Sequence, residues 1–152
     1  SAAYGWPTAQ CAFVIETFFR FFQQRLVAYP ETRGTLEELK KRGVRIGVLT
    51  DVPYGMPRSL VRRDIAETGL SDVIDVLLTS VDVGHRKPAA DGFLKLAGAL
   101  DVAVEDLIYV GNEPKDIVGS KAAGARAVLI ARNSKLQSLN QDVTITSLVE
   151  LL

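Results

Sequence analysis

The sequence carries one cysteine and one histidine in 152 residues, and each scarcity closes off a class of protein. Cys11 alone cannot build an intrachain disulfide framework and fits a reducing compartment, so a cytoplasmic setting is expected. His85, the only histidine, has no evident partner nearby to make it an acid–base group. No run approaches the roughly 18 apolar residues of a membrane span, and the N-terminus lacks the basic-then-apolar layout of a signal peptide. Charge of neither sign dominates, since 18 basic side chains cancel 18 acidic ones. Neither a nucleic acid nor an anionic membrane is therefore an expected partner. Repeats, low-complexity tracts and Gly/Ser linkers are absent as well. The loop after the first clear strand, Thr50-Asp51-Val52-Pro53-Tyr54-Gly55, holds a single glycine, which argues against a glycine-rich nucleotide-binding loop.

What is present suffices for one core. At 47% hydrophobic content, a chain of this length buries roughly 68–70% of its unfolded surface. Character changes near Tyr29-Pro30, dividing an N-terminal helical segment, 1–29, from a region of alternating strands and helices, 30–152. In the first part Thr8 can cap a helix running to about Ala28, with Phe13, Phe18, Phe21, Phe22 and Leu26 in its apolar positions. A rival reading makes Ala12–Ile15 a short buried strand ending at Glu16. In the second part, Leu36–Gly43 has acids early, bases late and a terminal glycine, the pattern of a helix that complements its dipole and stops. Strands are expected at about Val44–Leu49, Val73–Leu78, Leu107–Val110 and Ala127–Ile130. Helices are expected at about Pro57–Thr68, Ala89–Leu100 and Pro114–Ala123, with a short strand at Val143–Ile145 and a closing helix at Ser147–Leu152. Such alternation implies right-handed crossovers and a doubly wound parallel α/β sheet.

In an open parallel sheet, ligands collect beyond the carboxyl ends of the strands. Three segments bring chemistry there. Thr50 closes an apolar strand, so its hydroxyl and the N–H groups that follow, with Asp51, could hold a phosphate oxygen; equally, the hydroxyl could bond its own turn. Lys87 lies between Arg86 and Pro88, where the proline favours an extended lysine backbone; the alternative is a solvated surface lysine. The segment Gly111-Asn112-Glu113-Pro114-Lys115-Asp116 leaves a strand and enters a helix. Asp116 could bind magnesium, with Asn112 or Glu113 adding a second oxygen, or it could merely complement the helix dipole.

Together these residues resemble the haloacid dehalogenase superfamily of aspartate-nucleophile hydrolases and phosphatases, over about Tyr29–Leu152. Val48-Leu49-Thr50 is similar to the family's phosphate-binding motif, Arg86-Lys87-Pro88 to its lysine motif, and Val110–Ile117 with Gly119 and Ala123-Gly124 to its acidic metal motif. The resemblance implies a Rossmann-like core, Mg²⁺, a small phosphorylated substrate, and catalytic roles for Thr50 and Lys87. It assigns phosphate binding to Thr50, Asp51 and Lys87, and metal binding to Asp116, Asn112 and Glu113. Asn112 departs from the aspartate usual at its position. The family's first motif, a strand ending in the nucleophilic aspartate with a second aspartate two residues on, has no counterpart before Val44.

Residues 1–29 are accordingly expected to be the remnant of a helical cap, and 30–152 a core without its first strand. This chain alone is expected to show little or no turnover. The vacancy is expected to be closed by neighbouring strands moving together, by another copy, or by the aromatic N-terminal region. A non-catalytic protein acting through self-association or a partner is the alternative, with open strand edges and exposed aromatic side chains as the contact surface.

Overall fold

The computed structural model describes residues 7–20, 26–132 and 138–152. Five strands and six α-helices alternate along these residues: α1 Thr8–Arg20, α2 Thr32–Lys41, β1 Gly47–Thr50, α3 Arg58–Glu67, β2 Val76–Thr79, α4 Ser80–Val83, α5 Asp91–Ala99, β3 Ile108–Gly111, α6 Pro114–Ala123, β4 Arg126–Ile130 and β5 Val143–Ile145. The chain closes on a 3₁₀ turn, Leu148–Leu151, rather than the expected α-helix. Every strand pairing is parallel, as the α/β pattern requires. The pairing is nonetheless divided into β1–β2 and β3–β4–β5.

Helix α5 joins the two halves. Leu49 and Leu78 from the first sheet share one core cluster with Phe93, Leu96, Ala97 and Leu100 of the α5 region and with Tyr109 from the second. Phe93 is fully buried and meets the Tyr109 ring edge-on, with centroids 4.7 Å apart. The second sheet has its own core, in which Ile117 of α6 packs with Ala127, Leu129 and Ala131.

Each sheet is pinned at its start by an aspartate from the other end of a crossover. The Asp75 N–H donates to the Ile46 carbonyl (2.8 Å), while its carboxylate accepts from Ile46 N–H (2.7 Å) and from Lys40 at the end of α2 (2.5 Å). Asp142 repeats this: its N–H donates to Ala127 O (2.9 Å), and its carboxylate accepts from Ala127 N–H (2.7 Å) and Lys121 of α6 (2.6 Å). Both carboxyls titrate below their ordinary value, Asp75 chiefly through the Ile46 N–H and Asp142 chiefly through Lys121.

Several sequence expectations need correction. The first core strand begins at Gly47 instead of Val44, because Val44 N–H is drawn back to Leu39 O and Ile46 is held by Asp75. The second begins at Val76 instead of Val73, whose N–H closes a turn onto Leu70 O. Helix α5 starts at Asp91 and Pro88 does not initiate it; residues Arg86–Ala89 form a turn containing a cis Lys87–Pro88 bond.

Ala12–Ile15 lies within α1 and is no strand. The helix does not run to Ala28, since Leu26–Ala28 are not helical. Phe21 and Phe22 lie outside the described residues. Of the α1 aromatic side chains described, Phe13 is 71% and Phe18 49% exposed; the buried one is Phe19, at 4%. Phe19 packs with Val52, Met56 and Leu60, which seats α1 on the loop after β1 and on α3, assisted by a Glu16–Arg63 ion pair (2.8 Å).

Candidate functional site

Three strand ends and two following loops deliver the site. Lys87 is held beyond β2 and α4. Its side chain is only 10% exposed, and its ammonium donates to Asp116 Oδ1 at 2.7 Å and to the Tyr109 hydroxyl at 3.1 Å. Its backbone N–H donates to Asp51 Oδ1 (3.1 Å). Burial opposes the charge on Lys87, but the Tyr109 oxygen and the Asp116 carboxylate outweigh it and leave the lysine pKa above its ordinary value. The ammonium therefore stays charged through the physiological range.

Asp116 owes its place to local sequence. Glu113 is the N-cap of α6 and Pro114 its first residue. Asp116, three residues past the cap, turns its Oδ2 back to accept from the N–H groups of Asn112 (3.1 Å) and Glu113 (3.0 Å). It thus fills the dipole-complementing role and pairs with Lys87 as well. Gly111 makes this possible, since a Cβ there would stand 2.3 Å from the Asp116 Cβ. Gly119, one turn on, lets α6 approach Phe93 and the Pro88 carbonyl, which fixes the lysine turn against the helix carrying Asp116. Gly119 thus packs on α5 and the Lys87 turn.

The structure brings Lys87, Asp116 and Asp51 together. Thr50 ends β1 beside Asp51, and its hydroxyl donates to the Asp51 carbonyl oxygen at 3.5 Å, a bond to its own turn. Asn112 and Glu113 lie at the exposed mouth. Two participants were not foreseen. Tyr109 is buried, and burial raises the pKa of its phenol; it accepts from Lys87 and donates to Leu49 O at 3.0 Å. Lys115 reaches Glu113 Oε2 (2.9 Å) and Asp51 Oδ2 (3.4 Å). Its pKa is raised chiefly by the Glu113 contact, which burial opposes and Asp51 reinforces. Tyr109 gave one signal, a hydroxyl in an otherwise apolar strand. Lys115 gave only its position beside Asp116.

A divalent cation needs several oxygens that do not already face a competing cation. Asp116 spends one oxygen on Lys87 and the other on two N–H groups, and Asp51 spends its two on Lys87 N–H and Lys115. Among the described residues no group of three or more His, Cys, Asp or Glu is arranged to hold a metal. The donor set as it stands does not fit Mg²⁺. Nor, among the described residues, is any helix long and apolar enough to cross a membrane.

Comparison with known proteins agrees with this architecture. The profile of the haloacid dehalogenase-like hydrolases matches residues 6–130. A phosphoserine phosphatase from Thermus thermophilus is 36% identical over 118 residues, 77% of this chain and 45% of that protein. The crystal structure of a HAD phosphatase from Thermococcus onnurineus superposes with a TM-score of 0.78 at 33% identity, over 90% of this chain and 61% of that one. A 2-haloacid dehalogenase from Pseudomonas syringae superposes at 0.75 with 26% identity, over 97% of this chain and 62% of that one. The chain spans about half the length of the curated relatives it matches.

Proposed function

Because this chain belongs to the haloacid dehalogenase-like hydrolases, we propose that it carries the phosphate-holding part of a phosphatase-type site whose attacking carboxylate is supplied from outside these residues. One observation carries the reading. The Lys87 ammonium has three N–H groups, and its partners Asp116 and Tyr109 take two. The third remains for an oxygen of an incoming phosphoryl group. Phosphatases among the curated relatives favour phosphoryl over halogen chemistry.

In this reading Lys87 neutralises charge on the transferring oxygens, and Thr50 adds a hydroxyl donor with the N–H groups of its turn. Asp116 holds Lys87 in position through a nearly fully buried ion pair, 5% exposed on the acid side. Attack at phosphorus by an aspartate carboxylate would form an acyl phosphate as the ester P–O bond breaks and the alcohol leaves, and water would then release inorganic phosphate and restore the carboxylate. Separate β1–β2 and β3–β4–β5 ladders leave β1 and β3 unpaired with each other, so a strand bearing that aspartate could enter between them by displacing the Tyr109–Leu49 hydrogen bond. The Mg²⁺ that the family resemblance implies would require further carboxylates brought by that strand, and no step above is routed through it. A small phosphorylated metabolite is the proposed substrate class, the cytoplasm the proposed setting, and α1 with residues up to 29 the proposed cap remnant.

The test is hydrolysis of p-nitrophenyl phosphate with Mg²⁺, by the chain alone and with an apolar strand peptide ending in Asp-x-Asp. The chain alone should give no turnover above background, the peptide should confer it, and Lys87→Met should abolish it. Turnover by the chain alone would place the nucleophile within these residues and overturn the proposal.

A second reading rests on exposed apolar side chains. Phe13, Val14 and Phe18 of α1, with Tyr54 at 81% exposure, favour self-association as an alternative role. Light scattering at micromolar concentration separates the two, since a clean monomer leaves that surface without a partner copy.

A further inference from the structure

The acids of this site outnumber its bases. Asp51, Glu113 and Asp116 contribute three negative charges, and Lys87 and Lys115 two positive ones, so the group carries a net charge of −1. Such an excess ordinarily attracts a cation, and here each carboxylate already faces an ammonium group. Asp116 holds Lys87 on Oδ1 and two backbone N–H groups on Oδ2. The buried Asp51 carboxylate and the exposed Glu113 are both in contact with one side chain, Lys115. That lysine is about one-third exposed, so its ammonium bridges an inner carboxylate and an outer one.

We propose that Lys115 is the resident counter-cation of this site, occupying Asp51 and Glu113 in place of a divalent metal and so excluding one from the chain in this state. Taking the site as read above, this adds a function to a side chain that neither motif spacing nor strand position assigns. An ammonium supplies one unit of charge and up to three N–H donors, enough to satisfy two carboxylates without a metal's demand for six oxygens in octahedral array. A metal entering the same place must displace that ammonium or sit beside it against like-charge repulsion.

The probe is Mn²⁺, followed by electron paramagnetic resonance or water-proton relaxation on the whole chain, with no substrate and no turnover required. Wild type should bind Mn²⁺ weakly. Lys115→Met, which keeps the stem and removes the charge, should bind at least about tenfold tighter, and Lys115→Arg should stay weak. Glu113→Gln added to Lys115→Met should reverse the gain. Circular dichroism establishes that each variant folds; should Lys115→Met not fold, Lys115→Gln serves in its place. Equal Mn²⁺ affinity in wild type and the charge-removed variant overturns the proposal, as does a gain that survives Glu113→Gln. Those results leave the phosphatase reading standing, whereas failure of the strand peptide to confer turnover leaves this Mn²⁺ comparison untouched.

Discussion

The Tyr109 hydroxyl donates to the Leu49 carbonyl oxygen at 3.0 Å, linking β3 to β1 across the line where the two sheets do not pair. The same oxygen accepts from Lys87. One side chain therefore serves a fold constraint and a site constraint together, which ties Lys87 to the position of the first sheet.

Tyr109→Phe should separate these roles, since the ring and its edge contact with Phe93 are kept while the hydroxyl is lost. The Leu49 carbonyl and one Lys87 N–H would be left without a partner, at a cost of about 1–2 kcal/mol. Urea unfolding measures it; an unchanged midpoint would mean that water replaces the hydroxyl without loss.

The Lys87–Asp116 pair should show strong coupling. Lys87→Met leaves a nearly buried carboxylate with only backbone donors and should cost about 3 kcal/mol. Adding Asp116→Asn removes the stranded charge, so the double variant should be more stable than Lys87→Met alone. A double-mutant cycle by denaturant titration gives the coupling directly.

Two glycines should respond in opposite directions. Gly111→Ala pushes a Cβ to within 2.3 Å of Asp116 Cβ, and should destabilise by about 1–3 kcal/mol while displacing Asp116. Gly98→Ala, in α5 with nothing within 4 Å, should stabilise by up to about 1 kcal/mol through helix propensity. Thermal unfolding of the two variants beside wild type checks the contrast.

Acid should weaken both sheets through Asp75 and Asp142. Each carboxyl has a folded pKa below its unfolded value. Its contribution is thus complete above the unfolded carboxylate range, about pH 4, and is lost as the pH falls through the folded pKa. Asp75→Ala should remove part of that pH dependence and cost about 1 kcal/mol at pH 7, given the partial exposure of the pair. Stability curves from pH 7 to pH 2 for wild type and this variant provide the measurement.

Much of the architecture was legible because its signals are local. Helix α6 begins and ends where expected, at Pro114 and Ala123, since Pro114 fits the first turn and Gly124 adopts the left-handed cap conformation at φ 92°. The β1 start was not legible, because Ile46 is held by Asp75, 29 residues away. In the aromatic run of α1, periodicity could not distinguish Phe18 from Phe19; contact with Val52, Met56 and Leu60 decides it. At the site, Thr50, Lys87 and Asp116 could be placed at strand ends from the pattern alone. Tyr109 could not be assigned its role, because alternation along a strand gives a side chain's face and not the carbonyl its hydroxyl will reach.

The most direct test of the central claim, that Lys87 and Thr50 together hold a phosphoryl group, is titration of the labelled chain with inorganic phosphate, followed by ¹H–¹⁵N correlation spectra. The account predicts saturable shifts concentrated at the amides of Thr50, Asp51 and Lys87, lost in Lys87→Met. Shifts confined to other surfaces, or none at these three residues at any phosphate concentration reached, would contradict it.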